Sequence, residues 1–85
     1  MAGPVYYRLK GETADLPLML WPDEEGEFII QIGRQRPWTS YGDRAEFATF
    51  IIDTMWLASP ITEAEWHFAM QNRAWPDGKN SKETA

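Results

Sequence analysis

Cysteine is absent from this chain, and His67 is its only histidine. No disulfide can therefore staple the fold, and no Cys/His cluster can hold zinc. No run of about 18 apolar residues occurs, and the segment from Met1 to Lys10 has no apolar core of signal-peptide length. A membrane span and export by that route are not expected, and the composition fits a cytoplasmic protein. Positive charge is also scarce. Eight Lys and Arg face thirteen Asp and Glu, and the net charge of −5 opposes direct binding to a phosphate backbone. The same balance suits a protein partner with a basic surface.

Aromatic residues are what the chain has in excess, with five tryptophans among 85 residues. A chain this short forms one domain and buries only a modest fraction of its surface. Large aromatic side chains serve cores and interfaces alike. How many of them the fold can hide is therefore the central question.

Residues 4–10 alternate, with Val5, Tyr7 and Leu9 opposed to Tyr6, Arg8 and Lys10, as in a half-buried strand. In residues 16–21, Leu16, Leu18 and Leu20 share one face, and Pro17, Met19 and Trp21 the other. Pro17 lacks a ladder donor, so this strand is expected to start late or to lie at an edge. A third strand covers residues 27–33, with Phe28, Ile30 and Ile32 opposed to Ile29 and Gln31. Pro22 to Gly26 forms the turn between the last two strands. Residues 34–42 read as a loop.

Two helices are expected between Asp43 and Ala74. Asp43 with Glu46, and Thr62 with Glu65, have capping-box spacing, and Ile61 with Trp66 is placed as a hydrophobic staple. Ser59-Pro60 ends the first helix. The expected architecture is α+β: a three-stranded antiparallel sheet (β-β-β) followed by a two-helix hairpin packed on one face. The domain spans residues 1–75, and residues 76–85 form a disordered tail.

On a helical wheel, Phe47, Ala48, Ile51, Met55 and Ala58 make the central stripe of the first helix. Phe50 and Leu57 flank it on one side, Ile52 and Trp56 on the other. Only a narrow strip containing Glu46, Thr49 and Asp53 is left polar on that wheel. In the second helix Trp66 and Phe68 point to different sides. One sheet cannot cover this much apolar girth. Phe50, Trp56, Leu57, Trp66 and Phe68 are therefore the apolar candidates for contact with a partner or a second copy of the chain.

Asp23, Glu24, Glu25 and Glu27 form the densest acidic run, without the length or spacing of a calcium-binding loop. With Glu46, Asp53, Glu63 and Glu65 they are the acidic candidates for docking on arginines and lysines. Arg34, Arg36 and Arg44 surround Trp38 and offer a third patch, suited to an acidic or nucleotide-like group. His67 lies one turn after Glu63, but no nucleophile accompanies it. Gly26, Gly33 and Gly42 are too scattered to cradle a phosphate. Neither an enzyme nor a cofactor or metal site is expected.

In size, acidity and lack of catalytic motifs the chain is similar to the short inhibitors that phages and mobile elements encode against host nucleic-acid machinery, anti-CRISPR proteins among them. The likeness implies an inhibitor whose acids occupy a groove meant for nucleic acid, and it carries no residue roles. The alternative is a homo-oligomeric structural or accessory protein whose apolar helix face is a self-interface.

Overall fold

The computed structural model describes residues 3–79. The fold is α+β, with one antiparallel sheet and two helices. The three expected strands are present as β1 (Val5–Leu9), β2 (Leu16–Pro22) and β3 (Phe28–Ile32). Two short strands make the sheet five-stranded: β4 (Trp38–Thr39) and β5 (Ala58–Ile61), in the order β4-β3-β2-β1-β5. β4 lies in the stretch expected to be a loop. β5 contains Ser59-Pro60, the stretch expected to separate two helices. Helix α1 (Arg44–Asp53) and a 3-10 turn (Met55–Leu57) carry the chain from one edge of the sheet to the other. Helix α2 (Glu63–Asn72) follows β5.

The helices do not form a hairpin on one face. Leu9, Leu18, Ile30 and Ile32 point to one side of the sheet, where they cluster with Phe50 of α1. Tyr6 and Arg8 point to the other side, where Trp66 of α2 stacks on Tyr6 at 5.2 Å and Ala69 is fully buried. Each face of the sheet thus has its own helix. The cause lies in β2, the central strand, which is apolar on both faces and needs cover on both. Burying a residue such as Phe50 contributes about 1.5–3 kcal/mol.

Pro17 sits in this central strand and not at an edge. Its missing donor falls opposite Gly33, just past the end of β3. There the Gly33 N–H donates to the Pro17 carbonyl at 2.7 Å. The Gly33 carbonyl, which a backbone donor at position 17 would have served, accepts from the Gln31 side chain at 3.2 Å.

Both edges of the sheet are closed by short-range devices. The Lys10 N–H donates to the Leu57 carbonyl, so Leu57, Ser59 and Ile61 bond inward to β1 while Ala58 and Pro60 face outward. The Ala58 N–H is taken by the Met55 carbonyl and Pro60 has none. On β4, Ser40 bonds to Phe28, so Pro37 and Thr39 face outward. The Thr39 N–H is taken by the Asp43 carboxylate at 3.0 Å, and Pro37 has none. A proline and an engaged amide thus stand at each edge, which hinders addition of a further strand.

The segment 76–79, expected to belong to the tail, folds back on the α2 side. The Trp75 N–H donates to the Lys79 carbonyl and the Gly78 N–H to the Trp75 carbonyl, with Gly78 at φ 89. Trp75 is 2% exposed. The Arg8 guanidinium lies 4.4 Å from its ring centroid, and its indole N–H donates to the Asp15 carbonyl. Arg8 also pairs with Asp15 at 2.6 Å and Asp77 at 3.1 Å. The rest of the expected tail, 80–85, lies outside the described residues.

Candidate functional site

The apolar candidates separate into buried and presented groups. Phe50 is 6% exposed and belongs to the core, and Leu57 packs against that core. Trp66 is half-buried on Tyr6, and its buried indole N–H has no hydrogen-bond partner among the described residues. Phe68 is exposed on α2, and Trp56 is exposed on the 3-10 turn that follows α1. These two therefore lie on opposite sides of the sheet, and one isologous self-interface cannot hold both.

The helix is turned differently from the wheel expected of it. Phe47 and Phe50 face the sheet, whereas Ala48, Ile51 and Ile52 are exposed. Two phenylalanines bury more apolar area than the Ala48–Ile51 stripe would. The α-helix also stops at Asp53, so Met55, Trp56 and Leu57 do not continue its period. The outward ridge consists of Ala48, Ile51, Ile52 and Trp56, with Ile52 and Trp56 both 73% exposed. Ile51 and Ile52 are exposed apolar residues that lay on the expected wheel but were not among the contact candidates. The Trp56 indole N–H donates to the Asp53 carbonyl at 2.8 Å. That bond satisfies a carbonyl left open at the helix end and holds the indole in one orientation.

Four of the eight acidic candidates have internal duties. The Asp23 carboxylate accepts the N–H groups of Glu25 and Glu27 at 2.9 Å each and builds the β2–β3 turn. Glu27 accepts from the Ser40 hydroxyl at 3.1 Å. Glu65 completes a capping box with Thr62, as the spacing predicts. Glu63 faces His67 at 3.3 Å. Glu24, Glu25, Glu46 and Asp53 are exposed. The Glu27–Ser40 bond ties the acidic turn to the segment that enters α1. Glu24, Glu25 and Glu46 thus belong to the same end of the molecule, while Glu63 and Glu65 lie on the α2 side.

The expected capping box of α1 does not form. The Asp43 side chain makes no cap bond to its helix. Its carboxylate instead takes Arg36 at 3.1 Å and the Thr39 N–H. These contacts, Arg36 first, hold its pKa below the ordinary aspartate value, and the same pair raises that of Arg36. The Lys79 N–H, and after it Arg8, likewise lowers Asp77. Burial, with Glu63 nearby, raises Tyr6.

The arginine patch is not gathered around Trp38. Arg34 reaches across to the Met70 carbonyl near the end of α2, and Arg36 is held by Asp43. Trp38 instead packs edge-on against Phe50, with centroids 6.1 Å apart and planes at 76°. Beside it runs a groove of about 380 Å³, lined by Trp38, Ala45, Glu46, Thr49, Phe50 and Thr54. Its charged lining residue is a carboxylate. A second cavity, of about 370 Å³, lies between the β1–β2 turn and Gly78-Lys79.

Among the described residues, no group of three or more His, Asp or Glu side chains is placed to hold a metal ion, and no helix is long and apolar enough to cross a membrane. No protein-family model matches the chain, and neither does any curated protein or solved structure.

Proposed function

We propose that this chain is a small non-enzymatic protein-binding module that docks through the outer face of α1 on a basic surface of its partner. The observation that carries this reading is the fixed ridge of Ile52 and Trp56, each 73% exposed, beside the exposed acids Glu46 and Asp53. A tryptophan whose N–H is already satisfied offers its apolar faces at small entropic cost, and such residues dominate interface energies. Glu24 and Glu25 extend the acidic surface at the end where α1 begins. The net charge of −5 steers the chain toward cationic surfaces. An inhibitor that fills a groove meant for nucleic acid, as anti-CRISPR proteins do, is the biological form of this activity that we favour.

A self-interface built on the same ridge is the second reading, supported by its apolar character. The closed sheet edges restrict it to side-chain packing. The nearby Asp53 weakens it further, since an isologous dimer centred on Trp56 brings two copies of Asp53 close together.

A partner captured from source cells and then purified provides the test. Trp56→Ala should weaken its binding about tenfold or more. Added salt and reversal of Glu24 and Glu25 to lysine should slow its association. Binding that is indifferent to Trp56, to salt and to these charges would refute the proposal. A parent chain that sediments as a dimer, with Trp56→Glu monomeric, would establish the second reading instead.

A further inference from the structure

Resting on the reading of this chain as a binder of basic proteins, we propose that the groove between Trp38 and α1 is a receptor for one arginine side chain of the partner. The groove, of about 380 Å³, combines an aromatic wall, hydroxyl groups and a carboxylate. Trp38 and Phe50 meet edge to face and form the wall. Indole is the best of the side-chain surfaces for stacking a guanidinium, and the aliphatic stem of an arginine covers apolar lining such as Ala45 and Phe50. Glu46 supplies the carboxylate whose two oxygens match the guanidinium fork. Thr49 and Thr54 add hydroxyl acceptors. At about 380 Å³ the groove has room for one arginine side chain together with water.

The charge at the mouth favours a cation. Arg36 stands close enough to Glu46 to feel its field, but its guanidinium is engaged by Asp43 at 3.1 Å. With that pair neutralised, Glu46 leaves the mouth negative. Arg44 is exposed and lies two residues before Glu46, about 200° around the helix and away from the groove. A nucleotide or other anion would meet a carboxylate where it needs a donor. On the helical wheel, the groove flank of α1, containing Ala45, Glu46 and Thr49, lies beside the ridge containing Ile52. A partner seated on Trp56 and Ile52 therefore carries its neighbouring side chains past the groove mouth.

The test uses three amino-acid amides added to the ¹⁵N-labelled full chain and followed by NMR: N-acetyl-arginine methylamide, its neutral isostere N-acetyl-citrulline methylamide, and N-acetyl-lysine methylamide. The arginine amide should shift the Trp38 indole N–H and the amides of Ala45, Glu46 and Thr49 saturably, with a Kd on the order of millimolar. Citrulline and lysine amides should bind about tenfold more weakly. Glu46→Gln, at an exposed position that leaves the fold intact, should bring arginine down to the level of citrulline. Absence of shifts at the groove, equal binding of citrulline or lysine, or an unaffected Glu46→Gln variant would each overturn the proposal. So would self-association abolished by Glu46→Gln, since the occupant would then be a second copy. A partner whose binding needs Trp56 but not Glu46 would sink the groove and spare the docking surface. An arginine amide that binds while the partner ignores Trp56 would do the reverse.

Discussion

Trp75 is the residue whose replacement most directly tests how the C-terminal segment joins the fold. It is 2% exposed, its ring carries the Arg8 guanidinium, and its N–H is bonded to the Asp15 carbonyl. Truncating a buried tryptophan to alanine costs about 3–5 kcal/mol. A domain of this length has roughly 4–13 kcal/mol in total, at about 0.05–0.15 kcal/mol per residue. Trp75→Ala should therefore remove a large part of the stability. Trp75→Phe keeps an aromatic ring beneath Arg8 but loses the N–H bond and part of the buried indole, and it should cost less than the alanine change, about 1–3 kcal/mol. Urea unfolding followed by circular dichroism reads this directly. With m near 1 kcal/mol/M for a small chain, the alanine variant should lower the midpoint by about 3–5 M at unchanged m. A loss below about 1 kcal/mol in Trp75→Ala would refute the reasoning, because it would mean that Trp75 merely heads a tail. A chain ending at Trp75 supplies the companion measurement. It lacks Asp77 and Lys79, and it should lose stability without losing the fold.

Two further predictions concern stability. The folded-state pKa values of Asp43 and Asp77 are lowered from 3.8, so their stabilising contribution is complete above that value and is lost as pH falls through the lower folded-state values. Urea midpoints measured between roughly pH 5 and pH 2 should drop over this window. Asp43→Asn should flatten the drop, and an identical pH profile in that variant would contradict the assignment. Phe50→Ala should cost about 3–5 kcal/mol, whereas Trp56→Ala should stay within about 1 kcal/mol of the parent. Similar losses in the two would mean that core and contact surface are not divided as described.

Much of the strand pattern was legible because side chains alternate with a period of two. Tyr7, Leu18 and Ile30 fell on the faces that alternation gives them. The capping box of Thr62 and Glu65 was equally legible, since it involves four consecutive residues only. The same spacing at Asp43 failed for a tertiary reason. Arg36 and the Thr39 N–H compete for that carboxylate, and they approach it only once β4 is in place. β4 and β5 were missed because strands of two and four residues are too short to show periodicity. Prolines that read as breakers turned out to mark outward edge positions. The clue to a two-sided sheet was present in Pro17, Met19 and Trp21, the apolar second face of β2.

The site divided along the same line. That α1 has more apolar girth than one sheet covers followed from its composition. Which side chains were left over did not, because rotation of a helix about its axis depends on what lies beneath it. Phe47 and Phe50 took the buried side, leaving Ile52 and Trp56 outside. The acids were visible as residues, but their availability was not. Asp23 and Glu27 are held within the turn and its bond to Ser40, whereas Glu46 lines a groove that exists only because Trp38 is brought beside α1. Charge, strand faces, turns and one helix cap could be read without the fold, because each is set by neighbours within a few residues. The tertiary structure alone decided the sheet order, the opposite placement of the helices, the closure of both edges and the exposed ridge. Each of these depends on contacts between distant residues, and local spacing does not encode them.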